Sequence, residues 1–318
     1  MDLLGPSPTV GVDIGRRTIK VAAVRGGTPP RLTHAAIHPT PDGAVDGGAI
    51  RNVSLLAAAL RAALRGAGIR HGRAVVGMGG RTALVRTLTL PPMPDDELKN
   101  AVRWEAERHL PLRIDEAVLD AQVVREITED GQRRLEVLMA AVPERDALLY
   151  YQVAHDAGLD VAALEVSSLA LARTLAHPET LTAAIDIGAD ATEIVMTKGT
   201  LAPVCRSLPV GGDQLTPPAG GGEVADTPGL HELLDGVAKS IDYFQAQTHR
   251  EKVERVVLTG EGADIQGVAQ MLASELSLPV EVGDPLSRLA VAPGVASNAR
   301  GRGVSLAVAI GLALRTLH

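Results

Sequence analysis

Short apolar runs, separated by glycine, proline or polar turns, make up most of this chain. Residues 9–24 alternate between apolar and polar positions on either side of a turn at 15–18, which predicts two paired strands. Residues 53–66 have the apolar spacing of an amphipathic helix that ends at a glycine. Strands alternate with helices along both halves, and this order indicates an α/β fold in which helices cover the sheets.

The same patterns predict the remaining elements. Further helices are expected where the apolar spacing is helical, at 97–109, 143–157, 164–175, 230–249 and 265–276. Further strands are expected where a short apolar or alternating run is bounded by turns, at 74–79, 82–90, 118–127, 134–142, 253–258 and 280–282. An apolar run at 304–314 predicts a buried closing helix, and the glycine- and proline-rich segment 216–229 predicts a loop.

One short motif occurs twice. An apolar run ends in Asp-Ile-Gly at Asp13–Gly15, and a second run ends in the same three residues at Asp186–Gly188. In each case a few small or polar residues follow, and then another apolar run. The repetition predicts a duplicated strand-turn-strand hairpin. Two such hairpins facing each other across a cleft would surround a polyphosphate with two aspartates and two glycine turns, so nucleotide binding is the leading hypothesis.

Composition narrows the class of protein. The chain has 318 residues, enough for two domains, and 46% of them are hydrophobic. With 31 Lys and Arg against 38 Asp and Glu, no basic cluster and 2% aromatic residues, no nucleic-acid surface is expected. A single cysteine, Cys205, allows no intramolecular disulfide and suits a reducing cytoplasm. The start lacks a signal-peptide pattern, and the run 304–314 is shorter than the ~20 residues of a membrane span.

The first hairpin carries candidate phosphate-binding chemistry. Gly15 would let the turn backbone approach phosphate oxygens, and Asp13 would hold Mg²⁺ through water molecules. Lys20 could reach the β- or γ-phosphate as a point charge. Asp-x-Gly alone is a weak signal, since most such hairpins are ordinary turns, and the second copy strengthens it.

The second hairpin offers a matching set. Asp186 would share the metal or position a water, and Thr192 provides a hydroxyl. Asp190 is either a solvated turn residue, which we favour, or a second carboxylate near the metal.

Two further turns are less specific. The turn Gly260-Glu261-Gly262 follows a predicted strand and precedes a helix, so its glycines could let the backbone pass close to an adenosine or α-phosphate. The turn at 209–213 either caps a helix through Asp213 or contacts the nucleotide. The histidines show no metal-ligand spacing, and no serine lies in a Gly-x-Ser-x-Gly setting.

The order of these motifs resembles the actin-like ATPase superfamily. The segment between them is similar to the PilM family of type IV pilus assembly: Leu-Pro-Pro-Met-Pro-Asp-Asp-Glu-Leu at 90–98, Arg-Trp-Glu-Ala-Glu-Arg-His-Leu-Pro at 103–111 and Glu-Ala-Val-Leu-Asp at 116–120. Residues 209–215 and 278–285 are similar to that family as well. The FtsA division proteins are the nearest related family, but they carry a membrane-binding tail, which this sequence lacks after the closing helix.

The resemblance implies an actin-like, ribonuclease H-like two-domain ATPase fold with an α+β inserted subdomain as in FtsA. The first subdomain is expected at 5–87 plus 161–180, and the insert at 88–160. The second domain is expected at 181–318, with a small subdomain near 216–254.

The resemblance also implies ligands and partners: ATP with Mg²⁺ in the cleft, and the cytoplasmic N-terminal peptide of the membrane protein PilN in a groove beside the insert. The implied nucleotide-binding residues are Asp13, Gly15, Arg16, Thr18, Lys20, Asp186, Gly188, Ala189, Thr192, Gly211, Gly212, Gly260, Glu261 and Gly262, with Asp13 and Asp186 at the metal. The implied docking residues are Leu88, Leu90, Val102, Trp104, Leu110 and Leu138. Trp104 has an alternative role, in which it pins the insert helix to its sheet.

The family further implies a homo-oligomer or ring on the inner membrane, held there by its partner and linked to the cytoplasmic pilus motor ATPases that drive twitching motility. No catalytic residue is evident, so at most a weak ATPase is expected. The alternatives are a filament-forming, FtsA-like division protein and a small-molecule kinase of the same superfamily. Two departures from the family pattern, the loop after Asp213 and the carboxylate of Glu261 in the late turn, would weaken ATP binding.

Overall fold

Two mixed sheets with the same strand arrangement form the two halves of the protein. The computed structural model describes residues 7–79, 83–199, 204–216, 226–248, 252–295 and 303–315. The first sheet has the order β10-β6-β1-β2-β3-β16, and the second has the order β15-β14-β11-β12-β13. In each sheet a central strand pairs with a parallel strand on one side and an antiparallel strand on the other. The expected actin-like α/β class is thereby confirmed in its topology.

The strands of the first sheet are β1 (Thr9–Ile14), β2 (Thr18–Arg25), β3 (Arg31–Pro39), β6 (Arg73–Met78), β10 (Asp160–Val166) and β16 (Ala290–Val291). Those of the second are β11 (Thr182–Ile187), β12 (Thr192–Thr197), β13 (Val204–Leu208), β14 (Arg255–Thr259) and β15 (Val280–Val282). A small hairpin pairs β4 (Val45–Asp46) with β5 (Ala49–Ile50). The helices are α1 (Val53–Gly66), α2 (Asp95–His109), α3 (Glu144–Asp156), α4 (Ser167–Leu175), α5 (Gly212–Leu215), α6 (Pro228–Thr248), α7 (Val268–Leu276) and α8 (Ala307–Leu314).

The two Asp-Ile-Gly hairpins are structural copies of each other. The Gly15 N–H donates to the Thr18 carbonyl at 2.9 Å, and the Gly188 N–H donates to the Ala191 carbonyl at the same distance. Asp13 lies opposite Lys20 in one ladder, as Asp186 lies opposite Glu193 in the other. The repeated motif therefore predicted a repeated local structure.

A separate three-stranded sheet forms the insert, in the order β7-β9-β8. Its strands are β7 (Leu84–Leu90), β8 (Ala117–Glu129) and β9 (Gln132–Pro143). Helix α2 covers one face of this sheet, and its Val102 and Ala106 pack with Val137 and Met139 in a core of the insert's own. That core begins at Leu84, four residues before the expected start at 88.

Residues 144–160, directly after β9, belong to the first domain, which differs from the expected insert range of 88–160. Tyr150 and Val153 of α3 pack in the same core as Leu60 of α1, and β10 pairs with β6 in parallel. The predicted helix at 164–175 is wrong over its first three residues, because residues 164–166 complete β10. A short apolar run fits a buried strand or a buried helix equally well, so periodicity did not separate the two.

Helix α6 also differs from its expected place in a small subdomain near 216–254. Its Leu233, Val237 and Ile241 pack on Ile185 and Ile194, inside the main core of the second domain. Of the predicted loop at 216–229, residues 217–225 lie outside the described part of the chain.

Two helices cross between the domains and connect the sheets. Helix α4 follows the first sheet but packs on β12, and α8 follows the second sheet but packs on β1 and β2. They meet in a shared core with Val75 from one sheet and Val195 and Val257 from the other. The Thr174 hydroxyl donates to the Ala307 carbonyl at 2.9 Å, which ties α4 to α8.

The closing helix is buried, as its apolar sequence predicted. A 3₁₀ turn at Gly303–Leu306 leads into α8, whose residues from Ala307 to Ala313 are all buried. Within the ranges that the structure describes, no helix combines the length and the apolar character that crossing a membrane requires.

We predict that Gly311→Ala destabilises the protein strongly. A Cβ at Gly311 would lie 2.0 Å from the Ala170 carbonyl oxygen, so α8 would have to move off α4. The expected loss is about 3 kcal/mol of unfolding free energy, the upper end of overpacking effects, measured by urea denaturation. The control is Gly66→Ala in α1, where a Cβ meets nothing within 4 Å, and the expected change is a gain of no more than about 1 kcal/mol. Equal stabilities of the two variants would contradict the packing argument.

Candidate functional site

The turns of the two hairpins face each other and enclose a small cleft. Its walls bring together nine residues of the predicted nucleotide site: Asp13, Gly15, Arg16, Thr18, Lys20, Asp186, Gly188, Ala189 and Glu261. The first five come from the β1–β2 hairpin, the next three from the β11–β12 hairpin, and Glu261 from the 3₁₀ turn Glu261–Asp264 after β14. The cleft has a volume of about 90 Å³.

Lys20 is the buried cation at the centre of the cleft. Its ammonium lies 3.4 Å from the Asp13 carboxylate and 3.6 Å from that of Glu261. Desolvation lowers the pKa of Lys20, but the charges of Asp13, Glu261 and Asp186 outweigh this effect and raise it above its ordinary value. Lys20 is therefore a fixed positive charge, already paired with carboxylates of both domains.

Asp186 is the carboxylate least favourable to ionise in this cleft. Burial raises its pKa to about 6, against the opposing effects of Lys20 and of the Thr259 hydroxyl, which donates to Asp186 at 2.8 Å. The charge of Asp13 raises this pKa further. Two carboxylates in one buried site repel each other, and a divalent cation between them would remove that repulsion.

Three more contacts cross the cleft. Asp213 at the start of α5 pairs with Arg16 and Arg17 of the first turn, its Oδ1 lying 2.6 Å from a guanidinium nitrogen of Arg17. Asp190 accepts a hydrogen bond from the Gly47 N–H at 3.0 Å. Asp190 thereby joins the second hairpin to the β4–β5 hairpin of the first domain, and it also lines the cleft.

Several predicted nucleotide residues are already used by the protein itself. Thr192 is fully buried, and its hydroxyl donates to the Val210 carbonyl at 2.7 Å. A Cβ on Gly260 would lie 2.5 Å from the Ile187 carbonyl oxygen, and one on Gly262 would lie 2.2 Å from the Ile187 side chain. The late glycines are therefore required by packing on the second hairpin. The expectation that they also make room for a ligand stays a prediction.

The 209–213 turn has a similar structural role. A Cβ on Gly211 would lie 2.6 Å from the Ala189 backbone, and the Gly212 N–H donates to the Gly188 carbonyl at 2.8 Å. Gly211, and not Asp213, is the N-cap of α5. Asp213 is thus free to form the ion pairs with the first turn.

The expected docking residues separate into three groups. Leu90, Val102 and Leu110 are buried in the insert core, and Leu88 packs partly buried against it, so these side chains support the insert from inside. Trp104 is 55% exposed on the outer side of α2, with the Arg108 guanidinium 4.5 Å from its ring centroid. The alternative role for Trp104, pinning α2 to its sheet, is therefore wrong.

Leu138 faces the opposite side of the insert, where a groove separates the uncovered sheet face from α4. The groove has a volume of about 510 Å³, and Gln122, Leu138 and Ala140 form its sheet side. Leu169, Ala172 and Arg173 form its helix side. We call this space the insert groove. A second cavity of about 570 Å³ lies where β7 approaches β13.

The side chains of the cleft fit a magnesium-bound nucleotide, but the volume of the cleft is smaller than a nucleotide needs. Asp13 and Asp186 supply carboxylates, and Arg16, Arg17, Thr18 and Lys20 supply anion-binding groups. Within the described residues, no group of three or more His, Cys, Asp or Glu side chains is arranged to hold a metal. Mg²⁺ in proteins commonly keeps several of its waters. The cleft volume of about 90 Å³ is smaller than the roughly 300–1,000 Å³ of common small-molecule sites, so a whole nucleotide would extend beyond this cleft.

The cleft also contains residues that the sequence prediction does not name, among them Arg17 and Tyr150. Arg17, like Arg16, follows the turn glycine and reaches Asp213. Tyr150 of α3 donates to the Gly48 carbonyl at 2.7 Å, and burial raises the pKa of its hydroxyl. Nothing in the local sequence around Tyr150 indicates this role, because the contact depends on how α3 packs.

Comparison with known proteins assigns the family. The family model described as type IV pilus assembly protein PilM matches residues 11–218 and 224–317. The structure is similar to a solved PilM–PilN type IV pilus biogenesis complex, with a TM-score of 0.85, 27% identity and 98% of both chains covered.

More distant solved structures share the fold alone. The ethanolamine utilization protein EutJ from Carboxydothermus hydrogenoformans has a TM-score of 0.55 and 15% identity over 98% of this chain and 90% of its own. The cytoplasmic domain of EpsL, an inner membrane component of the type II secretion system of Vibrio cholerae, has a TM-score of 0.52 and 11% identity over 97% and 95%. The family match covers nearly the whole sequence, and the chain therefore belongs to the PilM family of type IV pilus assembly proteins.

Proposed function

We propose that this protein is a nucleotide-binding scaffold of type IV pilus biogenesis that docks the cytoplasmic N-terminal peptide of the inner-membrane protein PilN. The observation that carries the proposal is the similarity to the PilM–PilN complex along 98% of both chains, at 27% identity. The insert groove, beside the sheet in which docking was expected, provides a place for the peptide.

The cleft is the proposed site of ATP and Mg²⁺. Asp13 and Asp186 would hold the cation through water molecules. The positive charge of the cation would offset the repulsion between the two carboxylates. Arg16, Thr18 and Lys20 would face the phosphates from the first turn, and Gly188 and Ala189 from the second. No side chain in the cleft is assigned a role in hydrolysis, so we propose binding with little or no turnover.

The insert groove is the proposed peptide site. Its sheet side is apolar at Leu138 and Ala140, and its helix side carries Leu169 and Ala172. At one end, Arg173 and Arg315 share the buried Glu165 carboxylate. A segment with apolar side chains would bury them against both walls, while the arginine end would accept a polar or acidic group. Since PilN is a membrane protein, docking would hold the scaffold at the inner membrane, where copies could assemble into a ring that contacts the motor ATPases.

We predict that Asp13→Asn and Asp186→Asn each weaken Mg-ATP binding by at least about tenfold, because each removes one of the two carboxylates facing the cation. Isothermal titration calorimetry with and without Mg²⁺ measures the effect. In EDTA the variants should lose their disadvantage, since the carboxylates then only repel the phosphates. Wild-type affinity for Mg-ATP in both variants would place the phosphate site elsewhere.

We predict that Leu138→Glu abolishes binding of a PilN-type N-terminal peptide, because it replaces an apolar side chain of the groove wall with a charged one. Leu138→Ala should weaken binding by about tenfold. Trp104→Ala is the matched control, since Trp104 belongs to the same insert but lies on its far side. Titration calorimetry with the full-length chain measures all three. Loss of binding in the Trp104 variant, with normal binding in the Leu138 variants, would move the peptide site to the α2 face.

A further inference from the structure

Carboxylates of the second domain are bound to the anion-binding side chains of the first hairpin. Glu261 lies 3.6 Å from the Lys20 ammonium and accepts a hydrogen bond from the Thr18 hydroxyl. Asp213 in the same way pairs with Arg16 and Arg17. The three side chains of the first hairpin that would face a polyphosphate, Arg16, Thr18 and Lys20, are thus each in contact with a carboxylate of the second domain.

The Glu261 contact is the central one, because it engages the buried cation. Lys20 is 10% exposed in its side chain and cannot replace a lost partner with bulk water at little cost. Asp13, on the neighbouring strand, supplies one partner. Glu261 supplies the second, and a carboxylate oxygen accepts from an ammonium and a hydroxyl much as a phosphate oxygen does.

Packing holds the backbone of the turn that carries Glu261, whereas the Glu261 side chain can rotate away from Lys20. Gly260 has φ of 84°, and it and Gly262 lie directly against Ile187, so the backbone of the turn is fixed on the second hairpin. The Glu261 side chain is 30% exposed at the cleft. Rotation about its own bonds is therefore sufficient to release Lys20 and Thr18.

We propose that Glu261 is an internal competitor for the terminal phosphates and thereby determines how strongly the cleft binds nucleotides of different phosphate number. The inference rests on the proposed nucleotide function. A phosphate that reaches Lys20 and Thr18 must displace the Glu261 carboxylate from them. Its net contribution to the binding free energy is therefore the difference between the phosphate contact and the carboxylate contact. A nucleotide whose phosphate does not reach these groups leaves Glu261 in place.

The test compares Glu261→Gln and Glu261→Ala with wild type in calorimetric titrations with Mg-ATP, Mg-ADP and AMP. We expect the variants to bind Mg-ATP about tenfold more tightly, Mg-ADP with a smaller gain, and AMP with no change. Asp264→Asn is the matched control. It removes a carboxylate from the same turn, but Asp264 does not line the cleft, so no gain is expected.

A second measurement needs no nucleotide. Amide hydrogen exchange of the free protein at residues 15–20 and 260–264 should accelerate in Glu261→Ala, which loses the tie across the cleft, and not in Asp264→Asn.

The outcomes separate this inference from the proposed function. If wild type binds Mg-ATP and the Glu261 variants bind it no more tightly, or if AMP or Asp264→Asn shows the same gain, the inference is overturned while nucleotide binding stands. If no form binds any nucleotide, the proposed nucleotide function fails. Unchanged amide hydrogen exchange in Glu261→Ala would then show that Glu261 does not hold the two hairpins together across the cleft.

Discussion

The backbones of α4, α8 and β1 approach one another so closely that only residues without bulky side chains fit between them. A Cβ on Gly11 would lie 1.9 Å from the Ala309 carbonyl oxygen, and one on Gly311 would lie 2.0 Å from that of Ala170. Because protein interiors are close-packed, such contacts fix how α8 lies against β1 and against α4. Since α4 and α8 share a core with strands of both sheets, this packing connects the two domains whose hairpin turns face each other across the cleft.

Charge balance is the second constraint on the site. The first hairpin carries the cations Arg16, Arg17 and Lys20. The second domain supplies their carboxylate partners, Asp213 and Glu261. Each of these three cations therefore has a carboxylate partner on the second domain. A phosphate ligand must therefore displace these carboxylates from the cations. Its affinity then depends on the small difference between two strong interactions, cation with phosphate and cation with carboxylate.

Much of this architecture could be predicted from local sequence, and the failures have a common cause. The repeated Asp-Ile-Gly predicted both hairpins, and the spacing of apolar residues predicted α1 with its correct bounds. What the sequence could not distinguish was whether a glycine faces a ligand or a neighbouring strand, as at Gly260 and Gly211. It also could not tell which apolar residues of the insert form its core, so Val102 and Leu138 were grouped although they lie on opposite faces of one sheet. These are properties of tertiary packing, which period and composition do not encode.

The position of α8 has a consequence for biosynthesis. The face of the first sheet that carries Ala22, Val24 and Leu32 is covered by Leu306, Ala309 and Ile310, from the opposite end of the chain. A nascent chain emerges N-terminus first, at about 5–20 residues per second, so this apolar face stays uncovered until α8 has been synthesised. The first sheet can therefore be completed only after the second has been synthesised. Chaperones that shield exposed apolar surface would act here during that interval, and a chain interrupted before α8 would present this face for aggregation.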